Sequence, residues 1–359
     1  MRILISAHTG LGNFLLKTPV ISHIKKSYSH ASVDIIGGGN YGADHLLSGT
    51  DLIDNIHSIT RKSSFINKIN FFLRLRKIKY DAIFLPFDSL PLFILLGSFF
   101  LRGTKYLHIN IGVRRSFVSK IIYFIYVVKF PHFIFVPILQ GRHEIDLNYD
   151  LFEKYANHPI KRDYKTTVYH NQERSLLIDN VLLKNQEYIV LQPCAANGIS
   201  TAKIWSIENF ISLTVSLRHN YNKYKVVLVG DIGDLEMIKG TELFSHDVIN
   251  LMGKTSIEEL TTILNNASVV VAHDSGVMHI ANALNVKLIA LYGPTDYTRT
   301  MPLGDNSRIL FSHSDCFAKM YNSNFSEDEV SKMYPNSECM SNISVDDVLD
   351  VFDEYLPLI

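Results

Sequence analysis

Cysteine is scarce in this chain: there are three, Cys194, Cys316 and Cys339, with no CxxC pair and no metal-ligand spacing. An odd, sparse count argues against a disulfide framework and fits a reducing compartment. An excess of one charge is also missing. Lys+Arg and Asp+Glu both number 35, so no global basic field recruits nucleic acid. No internal repeat and no low-complexity tract is evident. The opening residues, Met1-Arg2-Ile3-Leu4-Ile5-Ser6, lack the apolar core of a signal peptide and predict a cytoplasmic protein. No uninterrupted apolar run is long enough to span a bilayer. Residues 90–101 reach about half of the ~20 residues needed. Residues 117–139 are broken by Lys120, Lys129, Pro131 and His132. Both stretches read either as core helices of an α/β domain or as interfacial elements, with Arg114 and Arg115 available to headgroups.

A length of 359 residues with 47% hydrophobic and 19% charged residues suits two globular domains, each with its own core. Apolar, strand-like runs at residues 3–6, 33–36, 82–85, 188–192, 225–229, 267–272 and 287–292 alternate with helical patterns at 15–27, 206–219, 234–241 and 257–266. Such alternation predicts parallel sheets covered by helices on both faces. Residues 157–184 are polar and strand-poor, which places a domain boundary near 165–185. Residues 345–355 form a closing amphipathic helix. Two such domains facing each other put a cleft at the carboxyl ends of both sheets, so loops that follow strands carry the ligand chemistry.

The most informative loop is His273-Asp274-Ser275-Gly276-Val277-Met278-His279, followed after the next strand by Gly293-Pro294-Thr295-Asp296. A strand, a small polar turn and a helix start aim free backbone N–H groups and a helix dipole at one spot, which suits a phosphate. An ordinary junction with Asp274 or Ser275 as N-cap is the competing reading. After the first strand comes His8-Thr9-Gly10-Leu11-Gly12-Asn13. It is not a Walker A loop, because Leu16 precedes Lys17-Thr18. It is a poor dinucleotide fingerprint, because Leu15 stands at the third glycine and Asp34 opens the second strand instead of ending it. A glycine-rich turn that lets a substrate approach the backbone remains. Gly37-Gly38-Gly39 repeats the theme, or is a plain turn. His273, Asp274 and His279 lack zinc-site spacing, and Ser275 lacks a nucleophile elbow, so no metal and no hydrolase triad is expected.

Four blocks together resemble glycosyltransferase family 9, the heptosyltransferase-like enzymes that extend bacterial lipopolysaccharide. They are residues 10–19, with Gly12, Lys17 and Pro19; residues 142–148, with His143 and Glu144; Gln192-Pro193-Cys194 with Lys203-Ile204-Trp205; and the Asp274–His279 and Tyr292–Asp296 segments. The resemblance implies a GT-B fold of two Rossmann-like, doubly wound domains. Residues 1–165 form the acceptor side, 185–340 the nucleotide-sugar side, and 341–359 the closing helix. It also implies inverting transfer without a metal or other cofactor, ADP-heptose as the leading donor, and a lipid-linked glycan acceptor at the inner face of the cytoplasmic membrane.

On this reading Ser275, Gly276, His279 and Lys203 meet the departing diphosphate, whose growing charge needs positioned donors. Asp274 orients them, since like charges repel. Asp231, Asp234 or Glu236 accept ribose hydroxyls, unless they form a solvated acidic loop. Thr255 and Ser256 line the base or phosphate region, or Ser256 only caps its helix with Glu259. Gly12, Lys17 and His143 fall on the acceptor side. Characterised heptosyltransferases carry Asp as general base where this chain has Asn13, and an amide cannot take that proton. Either His8, Asp44 or Asp88 serves instead, or the chain is an impaired nucleotide-sugar-binding member of the family. A sugar-nucleotide epimerase or dehydrogenase is the remaining alternative.

Overall fold

A computed structural model gives the structure of the protein, and it describes residues 1–37, 46–47, 49–109, 132–139, 141–170, 186–195, 201–312, 315–319, 327–335 and 338–356. The chain divides into two compact units, Met1–Tyr169 and His170–Ile359. Among the described residues no helix is long and apolar enough to cross a membrane.

The first unit is built on β1 (Arg2–Ser6), β2 (Ser32–Ile36), β3 (Asn55–His57), β4 (Lys79–Leu85), β5 (Arg102–Ile109) and β6 (Phe133–Pro137). All pair in parallel, in the order β3-β2-β1-β4-β5-β6. Its helices include α1 (Leu11–Leu15), α2 (Thr18–Ser27), α3 (Phe65–Leu75), α4 (Leu92–Ser98) and α5 (Glu144–Ala156). A strand covered by neighbours and helices on both faces must be apolar throughout. Ile3, Leu4 and Ile5 of β1 are accordingly buried. The exception is Asp34, which sits in the middle of β2 rather than at its start. It is fully buried and accepts from Arg2 Nε at 3.1 Å, Arg2 Nη2 at 2.9 Å, Asn55 Nδ2 at 2.7 Å and Tyr80 Oη at 3.0 Å. The carboxylate is a structural tie across four strands, β1 to β4, not a ribose ligand.

The second unit repeats the plan with β7 (Tyr188–Leu191), β8 (Lys225–Leu228), β9 (Ile249–Asn250), β10 (Val269–His273), β11 (Leu288–Tyr292) and β12 (Ser307–Phe311), in the order β12-β11-β10-β7-β8-β9. Its helices include α6 (Ile207–Asn220), α7 (Ile232–Ile238), α8 (Ile257–Asn265), α9 (Gly276–Ala283), α10 (Tyr297–Thr300), α11 (Glu327–Met333) and α12 (Val345–Tyr355). Ser256 and Glu259 cap α8 reciprocally, as their spacing predicts, and Ser344 with Asp347 does the same for α12. The main core lies between the sheet and the helices α6 and α12: Trp205, Phe210 and Leu213 pack with Val269, Val271, Val348 and Phe352.

Several expectations are corrected. The single helix over residues 15–27 is two, and α1 begins at Leu11, so Gly12 and Asn13 lie in a helix rather than a loop. The stretch 117–139 is not one element: residues 110–131 lie outside the described residues, and β6 occupies its end. Cys316 and Cys339 are joined as a disulfide, while Cys194 is free and buried. Packing of elements 23 positions apart brings the two together, and that spacing carries no signature of its own.

Candidate active site

In each sheet the strand order reverses direction at one place, between β7 and β10 in the second unit and between β1 and β4 in the first. Connections leave the two neighbouring strands in opposite directions there, which opens a crevice at their carboxyl ends. The chemistry-bearing residues collect around these two places.

In the second unit, Gln192 follows β7, and Asp274 and Ser275 follow β10. The Ser275 hydroxyl donates to Gln192 Oε1 at 2.7 Å, a bond across the reversal point. Ser275 occupies the N-cap position of α9, yet its side chain makes no capping bond. The plain N-cap reading of Ser275 is thereby set aside. The first turn of α9 keeps its N–H groups and dipole directed outward from the strand edge. Asp274 turns to the 3₁₀ turn Thr201–Lys203: its carboxylate lies 3.4 Å from Lys203 Nζ, with side chains 14% and 10% exposed. Thr300 Oγ1 donates to its other oxygen at 3.4 Å. Burial alone would raise the Asp274 carboxyl. The charge of Lys203, then that of His279 and a hydrogen bond from Thr295, outweigh this and hold it below the ordinary carboxylate range. Asp274 is therefore an anion that anchors a cation beside the helix start. His279 is buried within the same helix turn.

His273 supports this arrangement from beneath. Burial pushes its imidazole down to about 4, so the ring is neutral at pH 7. Its Nε2 accepts from the Trp205 backbone N–H at 2.9 Å, and Trp205 Nε1 donates to the Ile343 carbonyl at 2.8 Å. Lys203-Ile204-Trp205 is thus pinned to the end of β10. The sequence singles out Lys203 but not His273, Thr295 or Thr300 as supports of the pair it forms with Asp274.

The remaining donor-side candidates separate. Asp231 and Asp234 cap α7 reciprocally: Asp231 Oδ1 accepts from Asp234 N at 2.8 Å and Asp234 Oδ2 from Asp231 N at 3.2 Å. Glu236 is exposed and pairs with Lys239 one turn on, so its carboxylate faces solvent. Thr255 is half-buried, next to the exposed Ser256 that caps α8. Among the described residues no group of three or more His, Cys, Asp or Glu could hold a metal ion.

In the first unit, His8 follows β1 and Asp88 follows β4. Gly37, at φ +99°, packs so closely on the His8 backbone that a Cβ there would stand 2.7 Å from its Cα. That contact, not flexibility, is what the glycine provides. The His8 ring is buried, edge-on to Phe93 at 5.2 Å, and its Nδ1 has no hydrogen-bond partner among the described residues. Burial first, then the charges of Arg61 and Lys68, lowers its pKa against opposing backbone hydrogen bonds, so it is a neutral base at pH 7. Asn13 is half-buried on α1, and its side chain makes no hydrogen bond among the described residues. Its carbonyl accepts from Lys17 Nζ at 3.2 Å.

Lys17, expected to face the acceptor, is instead fully buried, with Nζ 2.5 Å from Asp88 Oδ2. A cation held inside by a carboxylate cannot also reach out to a glycan; Lys17 fixes α1 to the end of β4. His143 is the N-cap of α5, its Nδ1 accepting from Ile145 N at 3.2 Å. Gly12 is buried in α1. Asp44, Gly38 and Gly39 lie outside the described residues.

This geometry has relatives. The chain is 27% identical to lipopolysaccharide heptosyltransferase 3 of Escherichia coli over 310 residues, 82% of this chain and 84% of that one. Its fold is similar to glycosyl transferase family 9 of Veillonella parvula, at TM-score 0.76 and 18% identity, covering 99% and 97% of the two chains. It is also similar to an E. coli heptosyltransferase solved with ADP, at TM-score 0.69 and 19% identity, covering 99% and 100%. The shared architecture is GT-B, with two Rossmann-like units. Residues 107–328 match glycosyltransferase family 9 (heptosyltransferase), and the chain, a glycosyltransferase, belongs to that family.

Proposed function

We propose that the protein transfers heptose from ADP-heptose to a lipopolysaccharide-type, lipid-linked acceptor, by inverting displacement without a metal. The cluster Gln192–Ser275–Asp274–Lys203 at the reversal point of the second sheet carries this reading. It offers an anion two backbone N–H groups, a helix dipole and one fixed ammonium, and these are what a leaving diphosphate requires. The Ser275 and Gly276 amides take the β-phosphate, and Lys203, steadied by Asp274, neutralises the charge that develops as the glycosidic bond breaks. His279 donates from the first turn of α9. Asp231 and Asp234 meet the ribose edge, with Thr255 nearby in sequence to Ser256. The relatives named for heptosyltransferase activity, one solved with ADP and another with ADP-2-deoxy-2-fluoro heptose, support the choice of donor.

On the first unit the acceptor hydroxyl must lose its proton. Asn13 cannot take it, and Asp88 is committed to Lys17. His8 is neutral at pH 7 and its buried Nδ1 has no hydrogen-bond partner among the described residues, so we take it as the base, with Asn13 orienting the hydroxyl. The acceptor's lipid is met at the inner face of the cytoplasmic membrane. Phe65, Ile66, Leu92, Leu96 and Phe100 on and beside α3 and α4 are exposed. No Asp or Glu occurs between Thr60 and Tyr80, whereas Arg61, Lys62, Lys68 and Arg74 do. Apolar side chains among cations suit an anionic lipid surface.

The test is acceptor-dependent release of ADP from ADP-heptose, with heptose-deficient lipopolysaccharide as acceptor, for the native protein and for His8→Ala and Asn13→Asp. Turnover that falls at least 100-fold in His8→Ala supports the scheme. A second reading rests on Asn13: the chain binds the nucleotide sugar but has lost its base. Native protein that binds ADP-heptose and turns over only as Asn13→Asp establishes that reading instead.

A further inference from the structure

The proposed transfer leaves the Cys316–Cys339 disulfide without a role. Both cysteines are buried, and with Ala202 and Val330 they form a small apolar cluster apart from the main core, with Tyr334 packed against it. Ala202 is the middle residue of the Thr201–Lys203 turn and immediately precedes Lys203. The 3₁₀ turn that contains Cys339, Glu338–Met340, packs on that turn, as does α11. The same segment presses on the other signature loop. A Cβ on Gly293 would lie 3.0 Å from the Cys339 carbonyl and closer still to Met340 Sδ. One cross-linked segment therefore bears on both the Lys203 turn and the Gly293 turn.

We propose that the Cys316–Cys339 disulfide positions Lys203. It clamps the Lys203 turn against the end of β10, so that the ammonium stands ready beside Asp274 before a donor arrives. This rests on the reading of Lys203 as a diphosphate ligand. A satellite cluster of four side chains has few apolar contacts with which to order a loop, and such regions open locally at low cost. The covalent link removes that freedom. On one side the Lys203 turn is held through Trp205, by the His273 and Ile343 bonds. On the other it is held through Ala202, which packs in the same cluster as the two cysteines. Reduction by a dithiol would deliver two electrons and two protons, leave two thiols on the protein and release the reductant as a cyclic disulfide. With both sulfurs buried, this exchange must wait for local opening.

The experiment uses the full chain. Cys316→Ala/Cys339→Ala is compared with the native protein and with Ile83→Ala, which removes packing in the core of the first unit. Amide hydrogen exchange is followed across residues 201–205, and affinity is measured for ADP. The double variant should exchange at least tenfold faster at 201–205 and bind ADP about tenfold more weakly. Ile83→Ala should lower the melting temperature and change neither. In a Lys203→Ala background the cysteine substitutions should alter ADP affinity less than twofold, because their effect passes through Lys203. Unchanged exchange at 201–205, or a full tenfold loss that persists without Lys203, overturns the proposal. Native protein that fails to bind ADP sinks the donor reading instead, and the exchange comparison still decides the clamp. Should the double variant fold poorly, native protein treated with dithiothreitol until alkylation counts three thiols gives the same readout.

Discussion

Replacing Lys203 by methionine removes a charge that two partners need. At 3.4 Å from Asp274, the ammonium–carboxylate attraction is worth about 5 kcal/mol at an effective dielectric of ~20. Desolvation of both groups offsets most of it. The variant leaves a mostly buried carboxylate facing the site where a diphosphate must arrive. The lost charge-assisted bond and the uncompensated anion together cost about 2–4 kcal/mol, roughly 30- to 1000-fold in kcat/KM for the donor. The pH dependence gives a second readout. Burial alone raises the Asp274 carboxyl, and Lys203 is the largest influence holding it down. Without Lys203 its pKa rises, so lowering the pH should protonate it sooner than in the native protein and recover part of the donor affinity in Lys203→Met. Lys203→Met/Asp274→Asn should recover part of the loss at pH 7. The assay is nucleoside diphosphate release at varied donor concentration and pH. A Lys203→Met protein with unchanged kcat/KM, or one whose loss is independent of pH and of Asp274, refutes the reasoning.

Asp34 links stability to pH in the first unit. Burial opposes its ionisation, but the nearby His57 ring, 3.6 Å away, and hydrogen bonds from Asn55, Arg2 and Tyr80 outweigh it and bring its pKa down to about 2. A depressed folded pKa contributes stability that is present above about pH 4 and is lost as the pH falls toward 2, here about 2 kcal/mol, readable as loss of urea midpoint in acid. Asp34→Asn should flatten that dependence. Gly37→Ala should destabilise by about 1–3 kcal/mol in thermal unfolding, because its φ is positive and the methyl meets the His8 backbone. It should also lower kcat more than donor KM, since His8 moves. Trp205→Phe, which forfeits the indole bond to Ile343, should weaken ADP binding several-fold, as Lys203 loses its lower support.

Strands buried on both faces were legible because their apolar runs are unbroken, as in β1, β10 and β11. Short or half-exposed edge strands, and β5, were not. β3 is Asn55, Ile56 and His57, and β12 is only half-buried. β5 contains Lys105, which is buried because its ammonium donates to the Leu101 carbonyl at 2.7 Å, and no local pattern reveals that partner. The same limit governs the site. Residues directly after strands, such as Asp274 and Ser275, could be read from the chain. The inward turn of Lys17 toward Asp88 could not, since the partner is 71 positions away. Asp231 and Asp234, read as a ribose contact or a solvated loop, spend carboxylate oxygens on capping α7, which spacing alone permits but does not require. The disulfide was hidden for a similar reason, because covalent pairing follows the fold and not the spacing.

Acceptor-dependent turnover of ADP-heptose tests the central claim most directly. Native protein with ADP-heptose and heptose-deficient lipopolysaccharide, in buffer containing a metal chelator, should release ADP in step with the appearance of heptosylated product of inverted anomeric configuration. Binding of ADP-heptose without ADP release, under conditions where the Asn13→Asp protein does turn over, would contradict it.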